Sequence, residues 1–442
     1  MNDSSNPSNA SRRDFMRQGS FLAGGLIAAP LISKANFFSG ADDTIRIALI
    51  GCGGRGTGAA LQALKSKQNV KLVAMADAFR NRIDDCHKAL SEEAANNSLG
   101  GRIDVPEERK FTGFDAYQKA IPLADVVILT TPPGFRPIHF EEAVRQNKHI
   151  FMEKPVATDP AGVKKVLAVA EEAKRKKLNV VVGLQRHYQN SYRELFKRKD
   201  LIGDITSAQA WWNNDGVWVN ARKPGQTEME YQMRNWYYFV WLCGDHIVEQ
   251  HIHNIDVINW FKGGYPVKAQ GMGGRQVRNG KDHGEIFDHH YVEFEYADGS
   301  VLNSQCRHIK GTSAKVDELI VGTKGKIFCG KSAITDLKGK PIYQYDRKKE
   351  NDPYQTEHDE LFAAIAKGEY KFADTENGAK STMTAILGRM ATYSGQVLEF
   401  DKILNSGLNL QPATYDFAAA PPVLPGTDGF YKVAVPGVTK YA

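Results

Sequence analysis

The sequence has few cysteines and no motif that would pair them. Five cysteines are scattered over 442 residues, an odd number, and no two of them form a Cys-x-x-Cys pair. This excludes a disulfide framework and a cysteine-based zinc site, because both need cysteines at short, regular spacing. We predict that the cysteines are buried thiols.

The sequence also lacks a long apolar run and a long basic run. The apolar stretch at residues 21–32 has about a dozen residues and is interrupted by two glycines and Pro30, which is too short for a transmembrane helix. The net charge is +6, but no basic run is long enough to favour nucleic acid. We therefore expect neither stable membrane insertion nor a nucleic-acid partner.

The N-terminus carries a targeting pattern. Residues 11–17, Ser-Arg-Arg-Asp-Phe-Met-Arg, match the twin-arginine export pattern, and the apolar stretch follows them. Residues 33–35, Ser-Lys-Ala, offer small residues for cleavage. We predict a twin-arginine signal peptide over residues 1–35 and a periplasmic location.

The next part of the chain alternates between apolar runs and helical patterns. This alternation predicts an α/β fold class, with an N-terminal Rossmann dinucleotide-binding domain and a parallel sheet over residues 44–185. The predicted strands lie near residues 44–50, 70–76, 124–130, 149–152 and 179–183.

Beyond residue 190 the pattern changes to strands separated by turns. It predicts a C-terminal α/β domain over residues 186–400, with an open, mainly antiparallel sheet whose outer face another subunit would cover. Residues 401–442 are predicted to form a C-terminal tail that is irregular from Ala418 onward. The predicted strands lie near residues 205–213, 267–276, 288–296, 300–307, 318–322 and 325–329.

A glycine loop follows the first strand. It contains Gly51, Gly53, Gly54, Arg55 and Gly56, and Asp77 lies 21 residues beyond the last glycine. Between a strand and a helix, such a loop lets the backbone approach a pyrophosphate, and the acid bonds the ribose 2′-hydroxyl. This favours NAD. Two nearby basic residues, Arg80 and Arg82, weaken that preference and leave NADP possible.

Several further motifs join the glycine loop in resembling one family. They are Thr131-Pro132-Pro133, His139, Met152-Glu153-Lys154-Pro155, Gly183-Leu184-Gln185-Arg186 and the segment from Gly244 to Asp256. Together they resemble the Gfo/Idh/MocA oxidoreductases over about residues 44–400. The resemblance implies a Rossmann domain, an open sheet used to form a homodimer or homotetramer, and NAD(P) chemistry on sugars, inositols and related polyols.

The resemblance also implies roles for single residues. Lys154 corresponds to the family's active-site lysine, which hydrogen-bonds the reacting hydroxyl. Gln185 is expected to face the cofactor, and Arg186 the substrate. The other implied cofactor contacts are Thr131, Pro132, Pro133, His139 and Glu153.

The family places an aspartate four residues before a histidine, and here Glu249 and His253 occupy those positions. His253 is then the expected general base. The longer side chain of Glu249 leaves three roles open: it could orient His253, bind a substrate hydroxyl, or take part in acid–base chemistry.

The segment around these residues is rich in polar groups. Asp245 and His246 are predicted to join His253 in a polar wall for sugar hydroxyls, with Trp236 stacking on the sugar ring. A helix would place His246, Glu249 and His253 on one face, where they could bind a divalent metal. We expect no metal, because a sugar-binding wall is the simpler interpretation.

Three functions fit these features. The first is an exported NAD(P)-dependent sugar or glycoside oxidoreductase, with C3 as the oxidised carbon by resemblance only. The second is an NAD-dependent glycoside hydrolase that oxidises, eliminates, hydrates and reduces. The third is a non-catalytic binding protein, against which the presence of both Lys154 and His253 argues.

Overall fold

A computed structural model describes residues 43–441 of the chain. The predicted signal peptide, residues 1–35, lies outside the described residues. All five cysteines are buried and free, which confirms the prediction of buried thiols. Among the described helices, none is long and apolar enough to cross a membrane.

The N-terminal half forms a six-stranded parallel sheet in the order β3-β2-β1-β4-β5-β6. The strands are β1 (Ile45–Ile50), β2 (Val70–Asp77), β3 (Lys110–Thr112), β4 (Val126–Leu129), β5 (His149–Met152) and β6 (Val180–Val182). The helices are α1 (Gly54–Lys65), α2 (Arg80–Asn96), α3 (Ala116–Ala120), α4 (Arg136–Arg145) and α5 (Pro160–Arg175). The predicted Rossmann domain is confirmed.

The strand order indicates the edge of this sheet at which a ligand would bind. The chain reverses direction across the sheet between β1 and β4, and ligands of doubly wound sheets bind at the carboxyl ends of strands at such a reversal. All four residues of β4 are buried, because helices cover both faces of a parallel sheet. The apolar runs that predicted these strands are therefore the core.

The C-terminal half contains a nine-stranded sheet in the order β14-β13-β12-β11-β7-β10-β9-β8-β15. Only the β7–β10 pair is parallel, so the predicted mainly antiparallel sheet is confirmed. The strands are β7 (Ile205–Asn214), β8 (Lys268–Gly274), β9 (His289–Glu295), β10 (Val301–His308), β11 (Lys315–Gly322), β12 (Gly325–Phe328), β13 (Ala333–Asp336), β14 (Pro341–Gln344) and β15 (Leu398–Glu399).

Helices of the C-terminal half pack on this sheet and on the Rossmann domain. They are α6 (Asn190–Phe196), α7 (Glu228–Arg234), α8 (Val240–Cys243), α9 (His246–Glu249), α10 (Ile252–Lys262), α11 (Pro353–Ala366), α12 (Thr375–Ser394) and α13 (Phe400–Leu404). The helix α12 contacts β8 and β9 and also α5 and β6, so it links the two domains. On β9 and β10, buried and partly exposed side chains alternate, as a half-covered sheet requires.

The tail beyond α13 has no helix or strand over residues 405–441, as predicted from Ala418 onward. It is nevertheless packed on the protein. Tyr431 is buried, and Tyr415 and Phe417 lie against an aromatic cluster that includes Phe135 and Trp241.

Candidate active site

The glycine loop between β1 and α1 needs glycine for steric reasons. Gly51 has a φ of +98°, and a Cβ there would lie 2.5 Å from the main-chain nitrogen of Thr131. A Cβ on Gly56 would lie 2.0 Å from the carbonyl oxygen of Gly51. These two glycines therefore let the loop, α1 and the end of β4 approach one another closely.

A cavity of about 500 Å³ lies over this loop. A Cβ added to Gly53 or Gly54 would meet no atom within 4 Å, so the main chain at the start of α1 is open on that side. An open helix N-terminus suits a pyrophosphate, and this volume is typical of ligand sites. The predicted cofactor residues in its lining are Gly51, Gly53, Gly54, Arg55, Asp77, Thr131, Pro132 and His139.

Asp77 stands at the end of β2 with its carboxylate held in place. One oxygen accepts a hydrogen bond of 2.7 Å from the main-chain N–H of Cys52, and the other accepts one of 2.9 Å from Phe79. Burial raises the pKa of Asp77, although these two hydrogen bonds oppose the shift. Each oxygen keeps a lone pair, so the side chain can also accept from ribose hydroxyls.

Of the two basic residues near Asp77, Arg80 and Arg82, only one lines the cavity in the structure. Arg80 points to Asp84 and Glu107 and is not part of the cavity lining, whereas Arg82 is. Only Arg82 therefore bears on the choice between NAD and NADP.

Thr131 and His139 support the loop after β4. The Nδ1 atom of His139 lies 3.1 Å from the Thr131 hydroxyl, and burial lowers the pKa of His139 to about 3. The ring is therefore neutral at physiological pH. Pro133 is buried where a short 3₁₀ turn begins, so it shapes the loop without lining the cavity.

Lys154 lies directly beyond β5 and contacts the second domain. Its Nζ donates to the main-chain carbonyl of Glu249 at 2.6 Å and to the Glu249 carboxylate at 2.9 Å. The two side chains are 11% and 15% exposed, so the pair is only partly buried. The fold thus brings together two of the three predicted catalytic residues.

His253 completes this group from the start of α10. Its pKa is well below the ordinary value, first because it is buried and then because Lys154, Arg186 and Arg55 carry positive charge nearby. Its ring stacks on Trp212 with centroids 6.0 Å apart, and no group among residues 43–441 hydrogen-bonds its Nδ1. The imidazole is therefore neutral and able to accept a proton.

Arg55 connects the cofactor cavity to this group. It lines the cavity, hydrogen-bonds Glu153 next to Lys154, and lies 3.5 Å from the buried Glu357 carboxyl. Burial, followed by the charge of Glu153, raises the pKa of Glu357 well above its usual value. Glu153 therefore binds the glycine-loop helix to the end of β5, which keeps Lys154 beside the cavity.

The sequence matches family models over most of the two domains. Residues 45–183 match the model described as "Oxidoreductase family, NAD-binding Rossmann fold", and residues 193–328 match "GFO/IDH/MocA C-terminal domain". The chain belongs to the Gfo/Idh/MocA family. Its Rossmann domain is accordingly NAD-binding, and the glycine loop, open helix N-terminus and Asp77 fit that cofactor.

Curated relatives are about a quarter identical to this chain over the residues that align. An inositol 2-dehydrogenase of Ralstonia nicotianae is 26% identical over 326 residues, 69% of this chain and 83% of the relative. A 2,7-anhydro-N-acetylneuraminate hydratase of Escherichia coli is 25% identical over 214 residues, 46% of this chain and 51% of the relative.

Solved structures of similar fold include sugar and polyol dehydrogenases. Scyllo-inositol dehydrogenase from Lactobacillus casei, with bound NAD(H) and scyllo-inositol, has a TM-score of 0.59 and 19% identity, covering 81% of this chain and 99% of that one. A levoglucosan dehydrogenase in complex with NADH and levoglucosan has a TM-score of 0.62 and 15% identity, with coverages of 81% and 99%. At these identities the structures support the family fold alone.

The residues predicted to lie at the domain junction are less exposed than the family resemblance implies. Arg186 stacks on Tyr192 at 4.9 Å and lies 3.5 Å from the buried Glu318. Burial alone would lower the pKa of Arg186, but the Glu318 carboxylate raises it. Gln185 begins a 3₁₀ turn outside the cavity lining, so the structure leaves its cofactor contact a prediction.

Asp245 and His246 do not reach the cleft, contrary to the predicted polar wall. Both are completely buried. Asp245 accepts hydrogen bonds from the Tyr393 hydroxyl at 2.6 Å and the Phe287 N–H at 3.0 Å, and it lies 2.7 Å from the His246 ring. The Asp245 carboxylate and His246 Nδ1 are hydrogen-bonded inside the protein, which explains the difference.

The metal face considered for His246, Glu249 and His253 also does not form. The helix that would align them is broken, because α9 ends at Glu249 and α10 begins at Ile252. Among residues 43–441, the one group of metal-ligating type is Asp245, His246 and His290. Arg278 places a guanidinium nitrogen 3.4 Å from His246 Nδ1, and this positive charge disfavours a cation.

Trp236 was predicted to stack on a sugar ring, but it lines the nucleotide cavity. Trp218 and Phe79 line the same cavity and were not predicted, and Arg234 lines it with them. Tyr354 lies at the start of α11, with its ring 5.4 Å from the Arg55 guanidinium. The aromatic residues at 218 and 236 were visible in the sequence, but nothing in their spacing indicates that a loop of the second domain returns to the nucleotide.

Proposed function

We propose that this protein is an NAD-dependent oxidoreductase that oxidises a ring hydroxyl of a sugar, a glycoside or a related polyol. The observation that carries this proposal is the contact between Lys154 and Glu249 across the two domains, beside the neutral His253. The similarity to proteins named for inositol and levoglucosan supports the substrate class, since both compounds carry several hydroxyls on a ring.

The reaction assigns a task to each group. Bound NAD⁺ supplies the acceptor for the hydride that leaves the carbon. Lys154 donates a hydrogen bond to the hydroxyl oxygen and stabilises the negative charge that grows as the O–H bond breaks. His253 accepts that proton, so a C–H and an O–H bond are exchanged for a C=O bond. Glu249 holds the Lys154 ammonium in position. By family resemblance, C3 is the carbon we propose first.

A second candidate is an NAD-dependent glycoside hydrolase. The specific support is the similarity to a protein named as a hydratase, since net addition of water is also what this route requires. In this case the hydride returns to the sugar after elimination and hydration, so the cofactor shows no net change.

The deciding experiment is mass spectrometry of a panel of glycosides and polyols incubated with the protein and NAD⁺. Lys154→Met removes the ammonium but keeps most of the side-chain volume, and Lys174→Ala, at a partly exposed lysine outside the site, serves as the control. We expect a product lighter by two hydrogens in the wild type and the control. In Lys154→Met its rate should fall roughly 10²–10⁴-fold, the range for a positioned acid–base group.

The other outcomes are equally informative. Free sugar and aglycone, with the cofactor unchanged, would replace the oxidoreductase with the hydrolase. Product formation that survives in Lys154→Met would remove Lys154 from the chemistry. No product from any compound would favour a binding protein on the same scaffold.

Two properties of the whole protein are proposed with this function. Export by the twin-arginine pathway follows from residues 11–17, and cell fractionation of an Arg12→Lys, Arg13→Lys variant tests it. A homodimer or homotetramer through the outer face of the nine-stranded sheet follows from the family resemblance. Light scattering of the purified protein tests it, and a monomer would overturn it.

A further inference from the structure

Part of the cofactor cavity is built by the second domain. Residues 218–236, between β7 and α8, contribute Trp218, Asn220, Met233, Arg234 and Trp236 to the same lining as the glycine loop and Asp77. We call this stretch the cover segment. A nucleotide on the Rossmann domain would therefore contact the cover segment as well.

Arg234 joins the cover segment to the adenosine end of the cavity. Its guanidinium lies 3.9 Å from the centre of the Phe79 ring, and its Nη1 is 3.4 Å from the side-chain oxygen of Asn81. Its Nε donates to Glu230 at 2.8 Å, which orients the guanidinium. Phe79 and Asn81 follow directly after Asp77, so Arg234 spans the cleft where the ribose-binding acid stands.

The C-terminal tail holds the cover segment from outside. Phe417 packs on Phe79 and Phe114 of the Rossmann domain, with ring centroids 5.3 and 4.7 Å apart. A few residues later, the carbonyl of Val423 accepts a hydrogen bond of 2.7 Å from Gln232 in α7. The tail thus contacts both sides of the cleft at its adenosine end.

We propose that the cover segment is the second half of the nucleotide site, and that Arg234, with the tail, slows the release of bound nucleotide. The proposal rests on nucleotide binding by the Rossmann domain and is independent of the sugar. An enclosed nucleotide dissociates slowly, because the cover segment must move away from Phe79 first. In this proposal Trp218 and Trp236 face the nucleotide, whereas the sequence predicted that Trp236 stacks on a sugar ring.

The test is the rate of NADH release from the purified full chain, without any sugar. NADH is bound, and its fluorescence is followed after dilution into excess NAD⁺. Arg234→Ala is the main variant, and Arg234→Lys keeps the charge but loses the flat stacking on Phe79. Arg145→Ala is the matched control, since Arg145 also pairs with a glutamate on its own helix but is exposed at the end of α4 and does not line the cavity.

A second pair of variants tests the tail. Phe417→Ala removes the contact with Phe79 and Phe114, and Phe430→Ala removes an exposed tail aromatic that lies over Lys281 instead. We expect release to be roughly tenfold faster in Arg234→Ala, as for loss of a cation–π contact and a hydrogen bond. Arg234→Lys and Phe417→Ala should be intermediate, and both controls should match the wild type.

Release from Arg234→Ala at the wild-type rate, in a protein with an unchanged melting temperature, would overturn the proposal. If Arg234→Ala fails to fold, Arg234→Lys and Phe417→Ala decide the question by the same criterion. Because no sugar is present, failure here is distinct from failure of the proposed reaction. The reaction would fail through absence of product while nucleotide release stays slow.

Discussion

Two polar clusters lie at opposite ends of the short helix α9, and they differ in access to solvent. At its start, Asp245 and His246 are completely buried, whereas Glu249 at its end is 15% exposed and pairs with Lys154. The sequence presents these residues as one uninterrupted polar stretch. Residue types alone therefore identify a polar cluster, but they do not show whether that cluster serves folding or catalysis.

The main chain explains why the two clusters separate. Asp245 has a φ of +74°, which is uncommon for a residue other than glycine, and it follows Gly244 at +82°. This turn directs the Asp245 side chain towards Tyr393 of α12 and away from the cleft. The break after Glu249 then ends the helical spacing on which the predicted shared face depended.

The largest effect should come from Asp245→Asn. His290 and His246 hold the pKa of Asp245 well below its usual value, although burial alone would raise it, so the buried group is a carboxylate. The amide would turn an NH₂ group towards donors and remove the charge. We expect the free energy of unfolding to fall by about 3–5 kcal/mol, measured by urea denaturation.

If Asp245→Asn were as stable as the wild type but inactive, the assignment of Asp245 to a purely structural cluster would be wrong. Asp245 would then belong to the catalytic cluster, as the sequence suggested. Nucleotide release provides the supporting measurement, because a variant damaged only in its chemistry should still bind NADH normally.

Glu249→Gln should produce a smaller effect, and it should change catalysis instead of stability. Lys154 would keep the main-chain carbonyl at 2.6 Å as an acceptor but would lose its anionic partner. We expect kcat to fall roughly 10- to 100-fold, since the loss of a charged hydrogen bond costs about 1.5–3 kcal/mol, while stability changes little. Glu142→Gln, in a surface pair with Arg145, is the control. A fully active variant would contradict the positioning role.

Features encoded locally could be predicted from the sequence. The glycine loop, Asp77 and the residues around Lys154 each stand at the end of one predicted strand, β1, β2 or β5, and the parallel sheet brings these strand ends to the same edge. Five of the six strands of the Rossmann sheet were also predictable, because buried parallel strands such as β4 are uninterrupted apolar runs, whereas the three-residue β3 was not predicted.

Features that depend on distant pairing could not be predicted. The strands β13 and β14 have four residues each, too few to establish a period, and they form by pairing with a neighbouring strand. The cover segment reaches the cofactor cavity only because residues 218–236 fold back across it. Similarly, nothing in the order of residues indicates that Phe417 packs on Phe79.

The smallest effect is a pH dependence of stability that comes from His253, the buried histidine next to Lys154. Burial keeps His253 neutral in the folded protein, whereas the unfolded chain protonates this residue below about pH 6.5. Wild-type stability therefore decreases as the pH falls through 6.5, and His253→Asn removes this contribution. Relative to the wild type, the variant should gain about 1.4 kcal/mol in the free energy of unfolding for each pH unit below 6.5.

Denaturation curves between pH 7.5 and about 5.5 measure this change in the free energy of unfolding, with Lys174→Ala as a control that should parallel the wild type. A constant difference between His253→Asn and the wild type would mean that the pKa of His253 is the same in the folded and unfolded states, so that burial does not keep the folded imidazole neutral below pH 6.5.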